Sequence, residues 1–463
     1  MGQRPKVIIA GAGLGGVMLG ILLDLAGVHF DIYEKSAIVQ PLGLAIALGC
    51  NVCPIFKQIG IWDEFLENSK PVLDMNISNS QRETILKHDF RSQDEVGGSL
   101  VYATAWPILY DMLLRRIPAA RLHFGKRVVS IVQGENGVIV RTADGKSYEG
   151  DILVGADGCY SAVRQSIYEK LQKNNKLPAH DIAPMLFRDI AVVGQTYRLN
   201  PEDFPELLED ESRFEYVVGK NGFGCSSLTT NANTICWVGF QSLDKETSKE
   251  NDPFRNSEFG PEAAEKMCKD IKDVPFVGGN GKLTLGNLIE LSPKRLIKKV
   301  VIGEKLFKTW YSDRTVLLGD AVSRMHPAGA MGASSAIQDA VALANWINIL
   351  PGDASMSEVI DVFKEYKAER YPSMQERFQI SSSLGHIRAS SCQGKMARAL
   401  LGGLPKWMKE KYANTTIVCR PQVSFLPLVE DKGTIKTAPQ PSLEKTLLIL
   451  KKRKEANKET VAV

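Results

Sequence analysis

The chain has 463 residues, 44% of them hydrophobic and 24% charged, with a formal net charge of +4. That length suits one large composite domain or two coupled ones, not a single simple core. So small a charge excess makes no case for nucleic acid or for a strongly acidic partner. The elements begin with a compact β-α-β pattern: an apolar strand from Lys6 to Ala10, a glycine-rich turn, an apolar helix from about Leu14 to Ala26, and a second strand from His29 to Tyr33 closed by Glu34. Asn51 reads as the N-cap of a helix ending at Gly60. Here Cys50 and Cys53 have CxxC spacing, but no second pair has zinc spacing and the six histidines are scattered. Two unlinked thiols and no metal site are expected, as befits reduced intracellular cysteines.

Residues 71–104 read as extended segments joined by polar turns. Pro107 opens a helix running to about Arg116. Val128 to Glu149, broken by Gly134-Glu135-Asn136-Gly137 and Asp144-Gly145, predicts a β-meander. The strand Asp151 to Val154 runs into Gly155-Ala156-Asp157-Gly158 and another helix. From about 180 to 310, strand-like runs such as Thr234 to Phe240 alternate with polar loops, and one helix is predicted near 261–271. Strand Thr315 to Leu318 returns to the first domain, a long helix follows Gly332, and further helices fill 355–412. The Lys/Glu-rich tail after about 441 reads as a loose or frayed helix. The fold class is α/β: a Rossmann-like dinucleotide-binding domain with an inserted β-sheet substrate domain and C-terminal helices. The expected division is 1–180 for the first part of the nucleotide domain, 181–310 for the inserted sheet, 311–380 for the return and 381–463 for helices and tail.

Three motifs carry chemistry. Gly11, Gly13 and Gly16 form GxGxxG between a strand and a helix; glycine permits the tight turn and the close backbone approach, and the helix N-terminus offers N–H groups to a pyrophosphate. Glu34, about twenty residues on, is placed to bind an adenosine ribose. Alone, this motif does not separate FAD from NAD. Two later motifs do. The run Gly155-Ala156-Asp157-Gly158-Cys159-Tyr160-Ser161-Ala162-Val163-Arg164 resembles the DGxxSxVR motif of the class A flavin monooxygenases, and Gly319-Asp320-Ala321 resembles their GD motif. A short carboxylate at a strand end is well placed to hold sugar hydroxyls; the plainer alternative for either motif is a capped turn.

The resemblance covers about residues 6 to 375 and points to the fungal branch of the family, of para-hydroxybenzoate hydroxylase-like fold, through Pro41-Leu42-Gly43, Leu109-Tyr110-Asp111, Phe307-Lys308-Thr309-Trp310 and the stretch Gly319 to Asn345. It implies that Glu34, Gly43, Asp320 and Ala333 contact FAD. It also implies that NADH or NADPH reduces the flavin, which activates oxygen and passes one atom to a small apolar aromatic or terpenoid-like substrate; the cofactor carries the hard chemistry. Four departures fall where the flavin ring belongs. Trp106 stands where the family has an FAD-contacting arginine, Ser323 where it often has histidine, and Ala330 and Met331 interrupt its P-x-x-G-Q-G loop, here Pro327 to Gly332. Tryptophan can stack on a flavin or line an apolar pocket, and Ala330 restricts the backbone if that site needs positive φ.

His326 in this loop and Arg188 at the start of an inserted strand are the candidate catalytic side chains, each also read as a packed or solvated residue. Met396 to Trp407, followed by lysines, offers weak membrane association as an interfacial helix, though its glycines and Pro405 favour packing. No apolar run approaches the ~20 residues that span a bilayer, the N-terminal stretch lacks signal-peptide features, and a cytoplasmic protein is expected. The leading expectation is an FAD-dependent monooxygenase. A redox-silent cyclase or isomerase on the same fold, motivated by the four departures, and a binding protein on that fold are the alternatives.

Overall fold

The computed structural model describes residues 4–38, 43–243, 260–388, 414–415 and 417–461. A six-stranded sheet lies at its centre, in the order Tyr311–Ser312, Thr315–Leu317, Ile152–Gly155, Val7–Ala10, Phe30–Tyr33, Leu122–His123. All neighbours run parallel except the first pair. Val7–Ala10 and Ile152–Gly155 are buried along their whole length, which is why they read as unbroken apolar runs with no alternation. Helix Leu14–Leu25 is apolar on nearly every side and is buried accordingly. It packs against the long helix Gly332–Asn348. Gly15 sets the approach: a Cβ there would lie 2.6 Å from Leu318 Cδ1 and 3.3 Å from Ala336 Cβ.

The second layer is an eight-stranded sheet in the order Ser323–Arg324, Lys298–Leu306, Leu186–Gln195, Ile235–Ser242, Phe223–Thr229, Phe214–Val218, Asp74–Ser78, Thr84–Asp89. The segment 181–310 therefore does not build it alone. Asp74–Ser78 enters parallel to Phe214–Val218 and Thr84–Asp89 adds the far edge; a strand's local pattern shows that it is a strand but not which partner it finds. At the other edge, Ser323–Arg324 pairs antiparallel with Lys305 and Leu306, so the connection leaving the nucleotide sheet becomes part of the second one. Helices Pro261–Ile271 and Leu285–Glu290 pack with this sheet around Trp237, Ile271 and Leu285. Strands Val128–Gly134, Gly137–Thr142 and Ser147–Gly150 form the antiparallel meander.

Other expectations need correcting. Asn51 caps nothing: helix Cys53–Gln58 has Val52 at its N-cap and no side-chain cap bond. Between the extended segments of residues 71–104 stands a helix, Ser92–Gly97, where only polar turns were expected. Helix Pro441–Val461 is not loose at its start, because Ser442 and Thr446 are fully buried. The Ser442 N–H donates to Glu369 Oε2 at 2.7 Å, and the Thr446 hydroxyl donates to Ser424 Oγ at 2.6 Å. Met396 to Trp407 lies outside the described residues. Among the described residues no helix is long and apolar enough to cross a membrane, and no three metal-ligating side chains cluster. Cys50 and Cys53 are free and buried, with the Cys50 thiol pushed by burial up to about 12, out of reach of thiolate chemistry.

Candidate functional site

The glycine turn is built as the motif predicts. Gly11 has φ +105°, and a Cβ on it would strike Ala156 O at 2.5 Å. A Cβ on Gly16 would lie 2.2 Å from Gly11 O. No side chain caps helix Leu14–Leu25, so its first-turn N–H groups are open to an anion over Gly13, where a Cβ would meet only Ala156 O at 3.9 Å. Glu34 closes the turn, Oε2 accepting from the Ala12 N–H and Oε1 from the Ser36 N–H, both at 2.9 Å.

Trp106 starts helix Trp106–Leu114 and stacks on Tyr110, ring centroids 4.7 Å apart and 9° from parallel. The Tyr110 hydroxyl donates to Ala12 O at 2.8 Å, and burial raises its pKa above the usual phenol range, keeping it a donor. The aromatic pair thus reaches the glycine turn through Tyr110, a residue that sequence reading used only as a mark of resemblance.

Asp157 stands against the same turn, its Cα 2.8 Å from where a Cβ on Gly11 would lie. Its Oδ2 accepts from the N–H groups of Ala162 and Val163, at 2.7 and 3.2 Å, at the start of helix Ala162–Lys173, which Ser161 also caps. Its Oδ1 is buried with no partner among the described residues, and burial raises the carboxyl above its ordinary range. The visible role of Asp157 is helix capping, with one acceptor left over. Asp320 lies in the short turn Gly319–Ala321 just after the returning strand and forms an ion pair with Arg324, whose Nε is buried and unpartnered among the described residues. The Gly319 N–H is held by Asp339 Oδ2 at 3.1 Å, and Gly319 packs against Ala336, one turn along the helix from Ala333. The GD turn thus meets the glycine turn through Leu318 and Ala336, with Ala333 one helical turn from that contact. Gly43 does not join them visibly: a Cβ on it would collide with Gln195 N, Gly194 C and Leu296 O at 2.5 to 2.7 Å, so it serves close packing of two backbones.

The altered loop bears out the backbone argument. Ala330 has φ +51° and ψ +26°, the left-handed region that a glycine would take without strain. Met331 is buried in the main core, and Ser323 Oγ is buried without a partner among the described residues. His326 is buried. Its Nδ1 accepts from the Ala328 N–H at 3.1 Å, so Nε2 carries the proton and donates to Asp189 Oδ2 at 2.9 Å. The pair lines a small cleft with Tyr216, Phe223, Phe240 and Ser242. Arg188 is not among the lining residues; it marks a bulge in strand Leu186–Gln195, and its neighbour Asp189 is the residue that lines the cleft. Asp189 escaped sequence reading because nothing local ties it to a histidine 137 residues away.

The open turn over Gly13, the acid closing it and the spare acceptor on Asp157 fit a dinucleotide. A family model described as FAD binding domain matches residues 4–277 and 288–381. The chain is similar to the FAD-dependent monooxygenase janM of Penicillium janthinellum, 27% identical over 92% of this chain and 87% of that protein. It is similar also to the FAD-dependent monooxygenase paxM of Penicillium paxilli, 26% identical over 92% and 88%. Among solved structures it resembles Klebsiella pneumoniae HpxO complexed with FAD and uric acid, with a TM-score of 0.69 and 20% identity over 89% of this chain and 96% of that one.

Proposed function

The chain belongs to the FAD-binding-domain family and is an FAD-dependent monooxygenase of class A; from that premise we propose that it oxidises a small apolar molecule, aromatic or terpenoid-like, with NADH or NADPH as reductant and dioxygen as oxidant. The observation that carries this reading is the aromatic cleft set between the eight-stranded sheet and the loop that follows the GD turn. A concave site in which aromatic walls meet a few fixed polar groups is a form that small-molecule sites take.

Bound FAD supplies the redox chemistry that the side chains lack. The chain's own groups bind and orient. The Gly11–Gly16 turn and the helix behind it would hold the pyrophosphate, Glu34 the adenosine ribose, Asp320 the ribityl chain, and the start of helix Gly332–Asn348, with Ala333, the ring system. Trp106, backed by Tyr110, replaces the family's arginine with an apolar stacking surface. Tyr216, Phe223 and Phe240 would present ring faces to a substrate held in the cleft. The names of the relatives as monooxygenases favour this reading over the redox-silent cyclase or isomerase.

Two measurements test it. Titration of FAD into the purified protein should perturb the flavin's visible spectrum saturably. Turnover in labelled dioxygen should then show substrate-stimulated oxidation of NADH or NADPH with label in the product. Product free of the label from an active preparation overturns the proposal.

A further inference from the structure

Among its described lining residues the cleft holds one carboxylate, Asp189, and no lysine or arginine. Three things fix that carboxylate. A bulge at Arg188 shifts the register of strand Leu186–Gln195 against Lys298–Leu306, and such bulges re-aim the side chains beside them. His326 Nε2–H donates to Oδ2. The imidazole is itself immobile: the Ala328 N–H occupies Nδ1, and Gly385 backs the ring so closely that a Cβ there would lie 3.0 Å from Cγ. Asp189 is mostly buried, with 16% of its side chain exposed. With Nδ1 taken by the Ala328 N–H, the imidazole meets Asp189 as a hydrogen-bond donor, and the carboxylate faces a small cleft lined by Tyr216, Phe223, Phe240 and Ser242.

We propose that Asp189, oriented by His326, decides which substrates this cleft accepts: it takes a hydrogen bond from a hydroxyl or N–H group on an otherwise apolar, ring-bearing molecule, and it turns away carboxylates. A buried charged acceptor strengthens a hydrogen bond from a neutral donor, whereas an anion placed beside it meets like charge with no lysine or arginine among the described lining residues to offset it. His326 is a positioning residue in this scheme. The inference deepens the monooxygenase reading and rests on it for taking the cleft as the substrate site.

The test needs binding and no turnover. The FAD-loaded protein is titrated calorimetrically with three matched probes: 2-naphthol, which has a donor; 2-methoxynaphthalene, which has none; and 2-naphthoate, an anion. The expected order places 2-naphthol roughly tenfold or more ahead of each of the others. In Asp189→Asn the preference for 2-naphthol over 2-methoxynaphthalene should shrink to about threefold or less and 2-naphthoate should gain affinity. Equal affinities in the wild type, an unchanged ranking in Asp189→Asn, or binding of none of the probes overturns the proposal. The wild-type ranking decides alone if the variant fails to fold. A protein that ranks the probes as expected but puts no oxygen from O₂ into product sinks the monooxygenase reading and leaves this one standing.

Discussion

Gly13 and Gly16 share one turn and answer to different demands. At Gly16 a Cβ would lie 2.2 Å from a backbone oxygen, while at Gly13 it would touch nothing closer than 3.9 Å. Gly13→Ala should therefore fold as the wild type does and lose roughly tenfold or more in FAD affinity, because the methyl enters the space kept for pyrophosphate. Gly16→Ala should lose thermal stability with or without FAD. Thermal unfolding beside an absorbance titration separates the two, and a Gly13→Ala protein with unchanged FAD affinity would move the pyrophosphate elsewhere. Ala330 makes the opposite case. Its left-handed backbone costs an L-residue about 1 kcal/mol, so Ala330→Gly should raise stability by up to about 1 kcal/mol and Ala330→Val should lower it. Denaturant unfolding of the three proteins gives the order directly.

Helix pairs carry the next level of organisation. Asp339 on Gly332–Asn348 and Arg370 on Met356–Arg388 are buried together, the Arg370 Nε–H donating to Asp339 Oδ1 at 2.8 Å while Oδ2 holds the GD turn. Arg370→Leu strands the carboxylate, and a loss on the order of 3–5 kcal/mol is expected in urea unfolding. The double variant Asp339→Asn with Arg370→Leu should lose less than Arg370→Leu alone, since the carboxylate that Arg370 held is then gone as well. Elements of this kind were legible in the sequence wherever the signal was local. The first β-α-β unit, the meander and the helix after Pro107 each carry their own period, turn residues or cap. What the sequence hid was pairing at a distance: Asp74–Ser78 crossing to the second sheet, Asp189 reaching His326, and Asp339 reaching Arg370. Motif reading left two roles open at Asp157, and the geometry shows the helix cap while leaving one carboxylate oxygen over. A capping carboxylate and a ligand-binding one look alike in sequence, because both sit just before a helix.

Across the whole molecule, pH should register through Glu215. Burial pushes its carboxyl up to about 7, opposed by the Asn76 side-chain N–H at 3.1 Å and by Arg213 at 3.5 Å. The unfolded chain releases that proton near ~4.3. Between those values the folded state binds more protons, so this contribution to stability is fully present below the unfolded value and is lost as pH rises through about 7. Glu215→Gln keeps an acceptor for Asn76 and removes the titration. The melting temperature of the variant relative to wild type should therefore climb between about pH 4.5 and 7 and level off above; a constant difference across that range would remove Glu215 from the account.

The eight-stranded sheet draws its strands from as early as Asp74 and as late as Arg324. During synthesis, the ribosome releases Asp74–Ser78 and Thr84–Asp89 long before Phe214–Val218 exists to pair with them, and Val7–Ala10 and Ile152–Gly155 before Thr315–Leu317 completes their side of the central sheet. The central sheet stays unfinished until Leu317 has emerged and the second until Arg324 has. The nascent chain must carry open strand edges through most of its translation, and chaperone occupancy should be densest over that interval.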